Sequence, residues 1–149
     1  MNKISIPHDA LIFVGDGRKA LFLRNVGDKK FANLKTERVF VDESNPATRE
    51  QGSDQPGRAF SSVDGRRSAI AQTDWHELEE LHFAREVATA LEKVVRRDKV
   101  KALVIVAPPR ILAELRHAFH ADVKSRIVAE IDKDLTNHPI YEIEKHLIG

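Results

Sequence analysis

Three sets of side chains in this 149-residue chain have the right types for chemistry. His76-Glu77 with His82 invites comparison with a zinc-hydrolase helix. Such a helix needs histidines four apart, so that both face one side. These are six apart, which turns them about 120° away from each other. His117 and His120 are three apart and could share a metal, but two nitrogens without a third ligand make an incomplete site, and two surface histidines are the simpler reading. Asp16, Asp132 and Asp134 are the carboxylates that a two-metal nuclease would draw on. Asp16 falls in a turn, where its role is conformational, and the apolar run ending Val106-Ala107-Pro108-Pro109 brings no carboxylate to the place where such a site would want one. Val14-Gly15-Asp16-Gly17-Arg18 lacks the Gly-x-Gly-x-x-Gly spacing of a phosphate cradle and precedes a strand rather than a helix. There is no Gly-x-Ser-x-Gly elbow and no cysteine, so thiol nucleophiles, disulfides and cysteine zinc sites are excluded. Nothing in these sets argues for an enzyme, a resident metal or a cofactor.

The elements that must position these residues follow from hydrophobic periodicity. Ala10–Gly15 and Ala20–Arg24 are apolar runs around Asp16-Gly17, a hairpin signal in which both turn residues can take positive φ. A third strand is expected over Phe31–Val41, completing an antiparallel meander. Residues 42–74 then hold five Ser, three Gly and two Pro with almost no aliphatic periodicity, and are expected to form one long, mobile loop. Asp74 with Glu77 has capping-box spacing. Leu78, Leu81, Ala84, Val87, Ala88, Leu91, Val94 and Val95 follow at helical spacing. Val100–Ala107 is a nearly continuous apolar run, the mark of a strand buried on both faces. Pro108-Pro109 opens a helix, Arg126–Ile131 is a last strand, and Pro139 opens a final helix. The order βββαβαβα implies one α/β domain over residues 1–149. Its expected fold is a ribonuclease-H-like five-stranded mixed sheet, an antiparallel meander plus two parallel strands, with helices packed on it. Ile12, Leu81, Leu91, Leu103 and Ile105 are the expected core.

Charge is uneven along the chain. Residues 1–41 hold eight basic and four acidic side chains, while the whole chain carries only +1. A basic excess of this size can attract phosphate. No stretch approaches the ~20 apolar residues of a membrane span, and the N-terminus lacks an uninterrupted apolar signal core. A cytoplasmic location without membrane contact is expected.

Four segments carry a family resemblance. They are Phe13–Arg24 (FVGDGRKALFLR), Val106–Leu115 (VAPPRILAEL), Ala129–Thr136 (AEIDKDLT) and the C-terminal EIEKHL. Together they resemble the bacterial host attachment protein family, over nearly the whole chain. The family motif falls on Asp16, Gly17, Pro108, Pro109, Arg110, Asp132, Lys133, Asp134, Leu135 and Thr136. That family is similar in turn to the middle domain of archaeal and eukaryotic peptide-chain release factors, whose long loop carries Gly-Gly-Gln. Here the loop has Gln51-Gly52 and Gln55-Pro56-Gly57-Arg58 but no Gly-Gly-Gln, so the resemblance implies docking on ribosomal RNA rather than peptide release. Arg49, Arg58, Arg66 and Arg67 of the loop, with Arg18, Lys19 and Arg24 of the hairpin, are the expected contacts to the ribosome or another structured RNA. The family name also implies an effect on attachment to host cells, through a protein partner.

Overall fold

The computed structural model describes residues 4–42 and 65–148, the side chains of 65–74 excepted. Five strands, β1 (Leu11–Gly15), β2 (Lys19–Asn25), β3 (Leu34–Val41), β4 (Leu103–Ala107) and β5 (Ile127–Asp132), form one mixed sheet. Its order is β3-β2-β1-β4-β5. The hairpin β1–β2 and its neighbour β3 are antiparallel, whereas β1, β4 and β5 run parallel. The three central strands are buried almost throughout, as their unbroken apolar runs require.

Alternation along these strands divides the core in two. Leu11, Phe13, Phe22, Leu103 and Ile105 face one side, under α1 (Gly65–Asp98) and α2 (Pro109–Ala118). Ile12, Val14, Leu23, Val104 and Val106 face the other, under α4 (Ile140–Leu147) and the segment around Ile6. A single turn, α3 (Ala121–Lys124), leads into β5 and seats Val123 in the first core. The result is a sheet between two helical layers.

The structure departs from the sequence reading at several boundaries. The backbone is already helical at Gly65, so Asp74 lies inside α1 and the Asp74–Glu77 pair cannot cap its first turn. The expected loop therefore shrinks at its C-terminal end, and the remainder, 43–64, lies outside the described residues. Leu78 is 64% exposed and Leu81 only half-buried, because from Trp75 onward the first buried positions of α1 are Phe83 and Ala84. β3 starts three residues late. Asp28 Oδ1 accepts from the N–H groups of Lys30 (2.9 Å) and Phe31 (2.7 Å), which holds that stretch in a turn. The chain between β2 and β3 is organised by Asn25, fully buried, whose Nδ2 donates to Ile6 O (2.9 Å) and whose Oδ1 accepts from Gly27 and Asn33 N–H (2.9 Å each). With every polar atom answered, that buried amide is stabilising rather than costly.

Leu91 is fully buried on α1 against this sheet face. Leu91→Ala should cost about 2–5 kcal/mol of unfolding free energy, measured by urea titration. Leu78→Ala should cost under about 0.5 kcal/mol. The reverse order would contradict the packing described here.

Candidate functional site

Because β1, β4 and β5 are parallel, their carboxyl ends emerge on one edge of the sheet. In open α/β sheets this is the edge where ligands bind. β1 delivers Asp16-Gly17 there, β4 delivers Pro108-Pro109-Arg110, and β5 delivers Asp132 to Thr136. Segments up to 120 residues apart thus meet at one place.

Asp16 is the centre. Its Oδ1 accepts from the N–H groups of Arg18 (2.7 Å) and Lys19 (2.8 Å), and its own N–H donates to Lys19 O (2.9 Å). These bonds shape the turn. Its second oxygen, Oδ2, is left for Thr136, whose hydroxyl stands 2.9 Å from it and 2.9 Å from Asp134 Oδ1. A hydroxyl has one proton, so it serves one carboxylate at a time. The waiting carboxylate keeps its backbone donors: Arg18 and Lys19 N–H for Asp16, Thr136 N–H (3.3 Å) for Asp134. Thr136 is 2% exposed.

The other side of the turn meets α1. A Cβ on Gly17 would stand 2.7 Å from Glu80 Cβ and 2.6 Å from Cγ. Neither Asp16 nor Gly17 takes a positive φ, so glycine is required here by the approach of the helix and not by turn conformation, which corrects the sequence reading. Glu80 pairs with Arg110 at the start of α2 and stands 3.8 Å from Arg18. Two guanidinium groups thus share one carboxylate.

The remaining sequence candidates are scattered. Asp132 ends β5 opposite Ala107, two strand spacings from β1, or roughly 10 Å, and it does not join the Asp16–Thr136–Asp134 cluster. Lys133 is exposed beside it, while Leu135 is buried in the second core. Lys19 begins β2 at this edge, but Arg24 ends up at the opposite edge, 8% exposed, donating to Glu37 (3.1 Å) and Asp98 (2.6 Å). Its guanidinium is occupied by those carboxylates, so it does not stand with Arg18 and Lys19. Burial lowers its pKa, but the two carboxylates more than offset this and leave it raised. Arg66 and Arg67 lie in the first turn of α1, while Arg49 and Arg58 are outside the described residues. His117 is exposed, whereas His120 meets Glu92: its N–H donates to Oε2 (2.6 Å) and its Nδ1 lies 3.1 Å from the same carboxylate. Among the described residues no three His, Cys, Asp or Glu side chains are grouped to hold a metal. None of their helices is long and apolar enough to cross a membrane. Glu80 was not legible in the sequence, since helical periodicity marks it only as one of several acidic positions around Leu78 and Leu81.

The class is therefore a small α/β domain whose motif residues gather at the carboxyl edge of its parallel strands. The chain belongs to the family described as "protein required for attachment to host cells", whose model matches residues 11–147, a span that includes every motif residue named above. It is also similar to an uncharacterized protein of Rickettsia prowazekii (strain Madrid E), 33% identical over 75 residues, or 49% of this chain and 50% of that protein. The match thus spans about half the length of that curated relative.

Gly17→Ala should destabilise the fold by about 1–3 kcal/mol, because Glu80 Cβ belongs to the helix and cannot swing aside as the end of a side chain can. Thermal unfolding measures this. An unchanged midpoint would show that α1 does not press on the turn.

Proposed function

We propose that this domain is a non-catalytic, cytoplasmic RNA- or ribosome-associated module. Its strand order, β3-β2-β1-β4-β5, supports a ribonuclease-H-like fold and with it a distant relation to the release-factor middle domain. The observation that carries the reading is where the arginine-bearing segment is attached. β3 ends at the same edge as the motif residues, with Asp42 N–H donating to Arg18 O (2.9 Å). The chain returns in α1, which crosses that edge at Glu80 and reaches Arg24 at the far edge through Asp98. The fifteen steps from Gly65 to Glu80 cover about 22 Å at 1.5 Å each, so the first turns of α1, with Arg66 and Arg67, extend beyond the sheet. Arg49 and Arg58 lie in the connection between these two anchor points. Arg18, Lys19 and Arg110 add positive charge at the base. Such an arrangement suits phosphates presented by structured RNA, where shape dominates recognition. Without Gly-Gly-Gln, docking and not peptide release is the proposed role.

A protein partner is the second reading. It is favoured by Trp75 (49% exposed) and Leu78 on the projecting part of α1, and by the family description. An intracellular factor could then influence attachment through that partner.

Co-sedimentation with ribosomes distinguishes the two. Wild-type protein should sediment at low salt and be released as salt rises, with a log–log slope of about −0.7 per single-strand phosphate contact. Replacing Arg58, Arg66 and Arg67 together with Ala should flatten that slope. If wild-type protein does not sediment at low salt, the RNA reading falls and the protein-partner reading replaces it.

A further inference from the structure

A cleft of about 330 Å³ opens at the opposite edge of the sheet, between the Pro7–Ala10 turn, Arg24 and the Asp98–Ala102 segment that follows α1. Its size is at the lower end of small-molecule sites, which run from roughly 300 to 1,000 Å³.

Two features mark it as more than a surface dent. The first is backbone strain. Among the described residues, the non-glycine positions with positive φ are Asp9 (69°) and Lys99 (54°), and both line this cleft. Asp9 is the third residue of a turn closed by Ala10 N–H donating to Pro7 O (3.2 Å). Lys99 follows α1 where Val100 N–H donates back to Val95 O (3.0 Å), a helix ending that favours glycine. Glycine takes such backbone without steric cost, yet charged side chains are held at both places. Strain of this kind gathers at ligand sites.

The second is unbalanced charge. Arg24, more than nine-tenths buried, lines the cleft with its guanidinium held by Asp98 (2.6 Å) and Glu37 (3.1 Å). Asp98 is also bound by Arg97 (2.8 Å), the main reason its pKa falls to about 2. Asp9 lies 3.4 Å from His8 Nε2. Asp98 is thus neutralised by arginines, whereas Asp9 is an exposed carboxylate beside a histidine whose Nδ1 faces Gly27 O (2.6 Å). Lys99 and Lys101 have no ion pair or hydrogen bond from their ammonium groups among the described residues, and both are exposed at its rim. Arg96 and Arg97 in the last turn of α1 offset the negative end of the helix dipole. With His8 neutral, the lining residues thus carry three cations against two carboxylates, and the two unpaired ammonium groups suit an anionic phosphate.

We propose that this cleft binds a small phosphate-bearing molecule, up to a mononucleotide in size. Lys99 and Lys101 hold the phosphate, Arg24 and its carboxylates form a fixed polar floor, and Val100 and Ala102 supply apolar wall. The site lies at the opposite edge from the proposed RNA surface and does not depend on it.

The test is calorimetric titration of the full chain with sodium phosphate and, separately, with AMP, at ionic strength matched by sodium chloride. Saturable binding of either probe by wild-type protein is expected. Tighter binding of AMP than of phosphate supports a nucleotide, and equal binding supports a bare phosphate group. The double variant Lys99→Gly, Lys101→Ala should bind at least about tenfold more weakly, the effect of losing one charged contact. Its thermal midpoint should nevertheless equal or exceed that of wild type, because glycine relieves the positive φ at position 99. Lys101→Glu alone should also bind at least about tenfold more weakly, by charge reversal, with the backbone at Lys99 untouched. No saturable binding of either probe to wild type, or unchanged affinity in both variants, would overturn the proposal.

Discussion

The hydroxyl of Thr136, set between Asp16 and Asp134, ties the two ends of this domain together. Asp16 belongs to the first hairpin and Thr136 to the segment that leaves the last strand. Among the described residues, Ile4 N–H donating to Leu147 O (2.8 Å) joins segments still farther apart in sequence, but at the other side of the second core. Because Thr136 is buried, its hydroxyl would lose about 1–3 kcal/mol if left without an acceptor. Asp134, on the same segment, can take that proton instead, so this hydroxyl joins the segment to the hairpin only because the turn has a carboxylate oxygen to spare. Asp16 has one because its other oxygen already satisfies two backbone N–H groups.

The same turn limits the opposite layer. Glu80 of α1 lies where a side chain at position 17 would be, and it links Arg18 of the turn with Arg110 of α2. A carboxylate on one face and a missing side chain on the other let one three-residue loop hold both helical layers. The family motif thus has a physical basis. Its members are residues that one turn requires from strands that are neighbours in space and distant in sequence. Pro108 precedes α2 with φ −62° and ψ 159°, and Pro109 opens the helix, which sets the angle at which Arg110 reaches Glu80.

Much of the architecture was legible because burial on both faces leaves an unambiguous trace. LIFVG, ALFLR and LVIVA could hardly be anything but central strands, and Leu91, Val94 and Val95 follow a helical period onto the sheet. The errors share one cause. Periodicity reports what a residue could bury, not whether something is there to cover it. Leu78 fits the apolar stripe of α1, but it lies N-terminal to Phe83, the first described core residue of that helix, and stays exposed. Polar composition likewise hid the start of α1 at Gly65. At the site, Asp16, Gly17 and Thr136 could be named from sequence, but Asp-Gly was assigned to turn conformation when the glycine answers to a helix over sixty residues away. Arg24 looked like its neighbours Arg18 and Lys19. Only the strand direction shows that it emerges at the other edge, where its carboxylate partners come from β3 and the end of α1.

If the motif residues form one coupled unit, Asp16 and Thr136 must depend on each other energetically and not only stand close. A double-mutant cycle of Asp16→Ala and Thr136→Val, followed by equilibrium urea unfolding, measures this dependence. The predicted coupling is about 1–2 kcal/mol, with the double variant less destabilised than the sum of the single variants. Additivity within about 0.3 kcal/mol would contradict the account, because the two segments would then meet at this edge without supporting each other.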